Sequence, residues 1–466
     1  MSIILSFLPI AVLIVTLALL KLAAWRAALL ALATGAALAF FWKSIGGGDI
    51  AMASLKGAAT GLFPIGLVII SALFTYAVTV ESDAITEIKR GLCSLSDDRR
   101  FFALLTVWGF GNFMEGMAGF GTAVAIPCAI LVGVGFDPLK AVLCCLVANT
   151  TPTAFGSVGV PTMVLASETG LELGRLSTTI AVLQIAATSL SPFLILFITD
   201  GWRGVRERWA LALIADIAFI VPWLAVAWCF GCELPDIIGG LSVMMTLAMM
   251  GNRKNIDLRR QAWAWMPFMF VVAILAVNAI MPPKIKLSPG ILILIAAFIG
   301  GLFQRVAAKR LVIILAQTLR KYALALLTIC AVLALAKIMG AAGMTTTLAD
   351  ALVTATGRGY AAVSSIVGAL AGFVTGSGTS SNVLFGALQA SVGNSETEKF
   401  IFAAANVMGA GIGKMLCPQS IVLGCATAGL AGRESEVMKK VFAYFIIVVA
   451  IASAAVYAFN AVGVGF

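Results

Sequence analysis

Apolar residues run in long blocks along this chain, and the polar residues between them fall in short clusters. Blocks at about 3–20, 27–42 and 60–80 lead to a charged stretch, Glu81–Arg100. Further blocks lie at about 177–199, 209–230, 236–251, 262–281, 287–303, 322–341 and 440–463. An α-helix needs about 20 mostly apolar residues to cross a bilayer, so each block is predicted to be a spanning helix. Two other regions are as apolar but are punctuated by Gly, Pro, Asn and Thr. In the first, 101–135 reads as a re-entrant hairpin with GMAGFGT at its tip, and 138–166 as a helix broken at Asn149-Thr150-Thr151-Pro152. In the second, 360–392 reads as a hairpin with tip TGSGTSS, and 399–430 as a helix broken after Asn406, at Gly409–Gly413. Irregular backbone at membrane depth survives only inside protein or along a wet cavity. Two such breaks per region predict a polar chamber.

The two regions correspond. An ungapped shift of 257 residues carries Gly119, Gly121, Thr122, Asn149 and Pro161 onto Gly376, Gly378, Thr379, Asn406 and Pro418. Chance would match Leu, Ala and Val; these matches are helix breakers and small polar residues. The expected fold is an all-α polytopic membrane protein of about twelve transmembrane helices and two re-entrant hairpins, built from repeats at 1–207 and 259–466 with a two-helix linker at 208–258.

Basic clusters orient this scheme: Lys21/Arg26, the 89–100 stretch, Arg203/Arg206/Arg208, Arg253/Lys254/Arg259/Arg260, Arg305–Lys321 and Arg433/Lys439/Lys440. Lys and Arg gather in cytoplasmic loops, which puts both termini outside; the loop with Lys284 and Lys286 is a mild exception. Corresponding spans of the repeats then run in opposite directions. Inverted repeats with interrupted helices, whose site lies between the two repeats, are a scaffold for alternating access.

Composition narrows the class. With 61% hydrophobic and 11% charged residues, and a mean hydropathy of +1.07, the chain has too little charge to cover a water-soluble globule. The first apolar block lacks a basic leader and a small-residue cleavage site, and is expected to be a retained helix. The +10 charge belongs to basic loops at a lipid surface, not to nucleic-acid binding. Nine Cys are scattered through apolar segments, where thiols pack as small apolar groups; the Cys229/Cys232 pair lacks the strand and helix of a redox motif. With no His in the chain, no metal site and no cofactor are expected, and a proton relay must use carboxylates, Lys or water.

Chemistry concentrates at the breaks. Glu115 precedes the first tip in an otherwise uncharged stretch, and a carboxyl buried away from water takes a proton more readily; it is the candidate proton-coupling group. Lys414, in GIGKMLCPQS, is the candidate partner of an anionic substrate, or of Glu115 itself. Substrate and Glu115 competing for one lysine would couple proton to anion. Thr122, Asn149, Thr150, Thr151, Thr379, Ser380, Ser381, Asn382, Asn406, Gln419 and Ser420 supply the convergent polar groups a small-molecule site needs, though each alone could satisfy loosened backbone. Lys337 and Asp216 also lie in apolar spans and read as structural or snorkelling residues.

The stretches MEGMAGFGTAVAIPCAILVGVGFDPLKAVLCCLVANTTPTAFGSVGVP (114–161), GFVTGSGTSSNVLFGALQ (372–389) and AANVMGAGIGKMLCPQSIVLGCATAGLAGRES (404–435) resemble the bacterial L-lactate permease family. The likeness runs in order over nearly the whole chain. It implies an inner-membrane symporter of L-lactate, glycolate or D-lactate with protons, and matches Glu115 and Lys414 to the family's first-hairpin glutamate and GKM lysine. Gly378 stands where some relatives carry an acidic residue. A looser resemblance, to the ion transporter superfamily, implies paired hairpins and broken helices. The rival readings are a sodium-coupled carboxylate transporter and a passive monocarboxylate channel. An enzyme is not expected, since no nucleophile–base pair or ligand set is visible. Oligomeric state, the preferred carboxylate and the direction of flux stay open.

Overall fold

The computed structural model describes residues 2–20, 22–43, 45–119, 121–251, 257–281, 285 and 287–463, and every regular element among them is helical. Lys21, Phe120, Arg253, Lys254, Lys284 and Lys286, which enter the loop and tip readings above, lie outside the described residues. Among the described residues seven segments are long and apolar enough to cross a bilayer: Ala24–Phe41, Gly47–Glu81, Leu173–Phe230, Leu258–Ile280, Ala308–Ala341, Glu396–Ala428 and Glu434–Val462. Leu173–Phe230 spans 58 residues, length enough for two crossings. Non-helical backbone at Asp200, Gly201 and Arg208 divides it, where the sequence places its Arg203/Arg206/Arg208 cluster. Shorter apolar helices, among them Ser2–Leu17, Pro235–Met250 and Pro289–Phe303, complete a polytopic helical membrane protein.

Ion pairs sort the loops into two groups. Arg310, near the start of Ala308–Ala341, pairs with Glu81 at 2.8 Å, while Lys337, near its end, pairs with Glu168 at 3.0 Å. These pairs are 27 residues apart on one helix, about 40 Å at 1.5 Å per residue. With Glu81 go the contacts of Arg100 to Glu207 at 2.7 Å and to Asp200 at 3.6 Å, and that of Arg208 to Asp98 at 2.5 Å. With Glu168 goes Arg175, which meets Glu396 at 2.7 Å. Arg100, Arg208 and Arg310, from three of the basic clusters, thus each have acidic partners.

The interior is built on close backbone approach. Tyr360–Thr375 packs along Glu396–Lys414 through Gly368 and Gly372 on one helix and Gly409 and Gly413 on the other. A Cβ on Gly409 would lie 2.1 Å from the Ser365 carbonyl oxygen, and one on Gly372 2.0 Å from that of Ala410. This corrects the expected position of the second break. Gly409–Gly413 is continuous helix, because small residues four apart are the means by which membrane helices pack. The interruption falls at 415–417, ahead of Pro418, whose missing N–H and fixed φ suit it to begin the next helix, Pro418–Ala428. The first break falls where the sequence placed it: Pro138–Ala148 stops, 149–155 turns, and Gly156–Thr169 begins with Ser157, Val158 and Gly159 in the left-handed region.

Candidate functional site

Four interruptions meet at the centre of the bundle. At the first, Asn112–Met117 ends, Gly119 (φ +61°) and Gly121 (φ +83°) reverse the chain, and Thr122 opens the return helix. The Thr122 hydroxyl donates to the carbonyls of Met114 (3.1 Å) and Gly119 (2.9 Å) and so ties the turn. Against it lies the first helix break, where the Ser157 hydroxyl donates to the Ala118 carbonyl at 3.1 Å. The second turn, at Gly376 and Ser377, lies against the second break at Cys417 and Gln419. The two pairs also touch each other. A Cβ on Gly411 would be 2.3 Å from the Thr150 carbonyl oxygen, and one on Gly378 2.7 Å from the Thr153 methyl.

A cavity of about 300 Å³ opens among these ends. Glu115, Thr153 and Ser157 line it from the first region; Thr375, Ser377, Thr379, Ser380, Lys414, Gln419 and Ser420 from the second. Ala325, Thr328 and Ile329 of Ala308–Ala341 form a further wall. The Lys414 ammonium donates to Glu115 Oε1 at 2.5 Å, with both side chains more than nine-tenths buried. Glu115 Oε2 has no hydrogen-bond partner among the described residues. Lys414 ends its helix, where a cation is favoured by the helix dipole. Such a pair is held tightly only while both members are present, since removing either leaves an uncompensated buried charge.

Of the residues singled out in the sequence, Glu115, Lys414, Thr379, Ser380, Gln419 and Ser420 border this cavity. The others do not line it, and Asn149 Oδ1 and Thr151 Oγ1 are buried without a hydrogen-bond partner among the described residues. Thr150 donates to the Val147 carbonyl at 2.9 Å, and the Asn149 and Thr151 carbonyls accept from Thr153 (2.8 Å) and Gln184 (2.9 Å). Asn382 donates to the Pro161 carbonyl at 2.9 Å and accepts from Asn406, which in turn accepts from Gln389 at 3.1 Å. The Ser381 hydroxyl donates to the Ser377 carbonyl at 2.8 Å. Lys337 has its partner in Glu168. Asp216 is paired with Ser189 and not with Arg208, which reaches Asp98 instead.

Sequence reading did not single out Thr153, Ser157, Thr375 or Ser377, although each lies within a few residues of a predicted break. It also passed over Asp236, buried beside Glu115 and bonded to the Trp223 indole N–H at 2.9 Å. Chemically the cavity is small and hydroxyl-rich and holds one cation beside one carboxylate. Few convergent polar groups and a volume near the lower end for ligand pockets suit a small anion.

The family model described as L-lactate permease matches residues 2–287 and 271–463. An L-lactate permease of Streptococcus iniae is 36% identical over 380 residues, covering 73% of this chain and 80% of that protein. An L-lactate permease and a glycolate permease of Escherichia coli strain K12 are 31% and 32% identical, each alignment covering 94% of this chain and 92% of the relative. Among solved structures, the Alcanivorax borkumensis YdaH transporter superposes with a TM-score of 0.53 at 15% identity, over 88% of both chains. At that identity the likeness is one of fold.

Proposed function

The chain belongs to the L-lactate permease family, and from that premise we propose that it carries L-lactate, or the related glycolate or D-lactate, across the bacterial inner membrane together with a proton. It is a multi-pass transporter of lactate-type carboxylates, and its relatives are named as permeases, not as enzymes. The observation that carries the coupling is the buried Lys414–Glu115 pair on the cavity wall. A substrate carboxylate entering the cavity finds its only charged donor there already occupied by Glu115, among the described residues lining it. Taking Lys414 leaves the buried Glu115 carboxylate unpaired, which costs several kcal/mol unless the charge is removed. A proton on Glu115 removes it. Substrate and proton are therefore favoured together, and either alone is disfavoured.

The same reading supplies a path. We read 1–207 and 259–466 as inverted repeats of a protein with about twelve spans, 101–135 and 360–392 as re-entrant hairpins, and both termini as outside. Support comes from the matching order of turn, following helix and interrupted helix in the two halves. A central site reached from two related sides is the arrangement that alternating access uses.

The deciding experiment is lactate uptake into proteoliposomes under an imposed inward proton gradient, with and without sodium. Accumulation from the proton gradient alone is expected. Accumulation that requires sodium at fixed pH would assign the coupling to Na⁺. Equilibration without accumulation would make the protein a passive channel.

A further inference from the structure

The hydroxyls that border the central cavity are of two kinds. Most are already spent on the protein. Thr153 donates to the Asn149 carbonyl at 2.8 Å, Ser157 to that of Ala118 at 3.1 Å, Thr328 to that of Leu324 at 2.8 Å and Thr375 to that of Ala371 at 2.8 Å. A hydroxyl has one hydrogen to give, so each of these can only accept from a ligand. Thr379 and Ser420 differ. Both line the cavity and both are 8% exposed, yet neither hydroxyl makes a hydrogen bond among the described residues. Neither oxygen is closed off completely, so a partner can reach it from the cavity. Ser380 and Gln419 also border the cavity without such a bond, but Ser380 is half-buried and Gln419 exposed, open to water in a way the other two are not.

The backbone brings these two hydroxyls to Lys414. Thr379 belongs to the short helix Gly378–Ser381, which packs on Glu396–Lys414, and Ser420 to the first turn of Pro418–Ala428. The Cys417 N–H donates to the Lys414 carbonyl at 3.2 Å, which fixes the start of Pro418–Ala428 beside the lysine. The turn before Thr379 closes against the same place: a Cβ on Gly376 would lie 2.7 Å from Cys417 Sγ and 3.3 Å from Gln419 Oε1. We propose that Thr379 and Ser420 read the 2-hydroxyl of the substrate, and so select 2-hydroxy acids over plain short carboxylic acids. The 2-hydroxyl sits on the carbon next to the carboxylate, so the groups that read it must stand beside the carboxylate's partner, as these do. One hydroxyl can donate to it and the other accept from it. Ala325, Ile329 and Leu423 of the cavity wall are left for the methyl of lactate. An acid that lacks the 2-hydroxyl brings a methylene against two buried hydroxyls and leaves both unpaired, which a site built for hydrogen bonding rejects. This deepens the lactate reading and rests on it.

The test is equilibrium binding of labelled L-lactate to purified protein, displaced by unlabelled L-lactate or by propionate, the three-carbon acid that differs only in lacking the 2-hydroxyl. No proton gradient is applied, so the readout is independent of coupling. Wild-type protein should favour lactate by about tenfold or more. T379V, which replaces the hydroxyl by a methyl of similar size, and S420A should each lower that preference about threefold or more, by weakening lactate while leaving propionate where it was. T379S, which restores the hydroxyl, should recover the preference. An unchanged preference in both T379V and S420A, or lactate and propionate weakened together, would overturn the assignment, as would wild-type protein that does not distinguish the two acids. If S420A does not fold, T379V against T379S decides alone. Wild-type protein that binds neither acid would instead overturn the lactate reading and this assignment with it, a result distinct from lactate binding without discrimination.

Discussion

Lys414 and Glu115 touch the same cavity but should fail differently when removed. Without its ammonium the site has no cation for a substrate carboxylate among the residues lining it. Truncating one partner of a buried, hydrogen-bonded charge pair costs about 2–5 kcal/mol, so K414A should weaken lactate binding by roughly 30-fold or more. Equilibrium binding of labelled lactate to purified protein checks this, and unchanged affinity would remove Lys414 from the site. Glu115→Gln keeps a polar side chain but cannot exchange a proton. It should keep measurable lactate exchange and lose accumulation driven by pH; loss of neither would end its coupling role. Both residues were legible in the sequence because a charge in an uncharged membrane segment has few reasons to be there. The hydroxyls were less so. Asn382 and Asn406 stand out as polar residues at breaks, yet they bond to the Pro161 carbonyl and to each other away from the cavity, while Thr153, Ser157, Thr375 and Ser377 border it. Sequence marks the segment; which side chain faces inward depends on a turn of backbone that one left-handed residue redirects. Asp236 escaped notice for a different reason: an acid just after a proline, at a helix start, has an ordinary explanation in the helix dipole.

Among the elements, the pair Tyr360–Thr375 and Glu396–Lys414 places Lys414 at the cavity, so its packing governs the site indirectly. Gly409 is the sharpest case. If it were a helix break, as the breaker content of GAGIG suggests, Ala there would be neutral or would stabilise a helix by up to about 1 kcal/mol. Since it is a point of close approach, 2.1 Å from the Ser365 carbonyl oxygen for an added Cβ, Gly409→Ala forces the helices apart. A cost of about 1–3 kcal/mol is expected, read as a lower thermal unfolding midpoint in detergent, and an unchanged or raised midpoint would restore the break at that position. The interruption at 149–155 was readable because Asn149 and Pro152 stand together there in an otherwise apolar run. The second break was misplaced because glycine serves two purposes in membranes, and only the four-residue spacing on both helices, 368/372 and 409/413, separates packing from breaking.

At the scale of the whole molecule, the loops that gather basic residues are not where pH should act. Glu207 is held down to about 2 by hydrogen bonds from Arg100 and then Arg203. Its charged form is favoured in the fold, so its pairing is in place above the ordinary carboxylate range and is lost only as pH falls toward about 2. E207Q should therefore leave the pH profile of uptake between 5 and 8 unmoved, and a shifted midpoint would show that the loops take part in coupling. What remains to drive the cycle is the central cluster, which fixes the electrical character of transport. One lactate anion with one proton moves no net charge. A cycle carrying one net charge would instead respond to membrane potential by about 2.3 kcal/mol per 100 mV, a nearly fiftyfold change in the accumulation ratio. In proteoliposomes held at fixed pH gradient, imposing 100 mV of either sign should leave lactate accumulation unaltered. Potential-dependent accumulation would mean that a second proton, or another cation, crosses with each substrate, beyond the one proton that Glu115 takes up when substrate occupies Lys414.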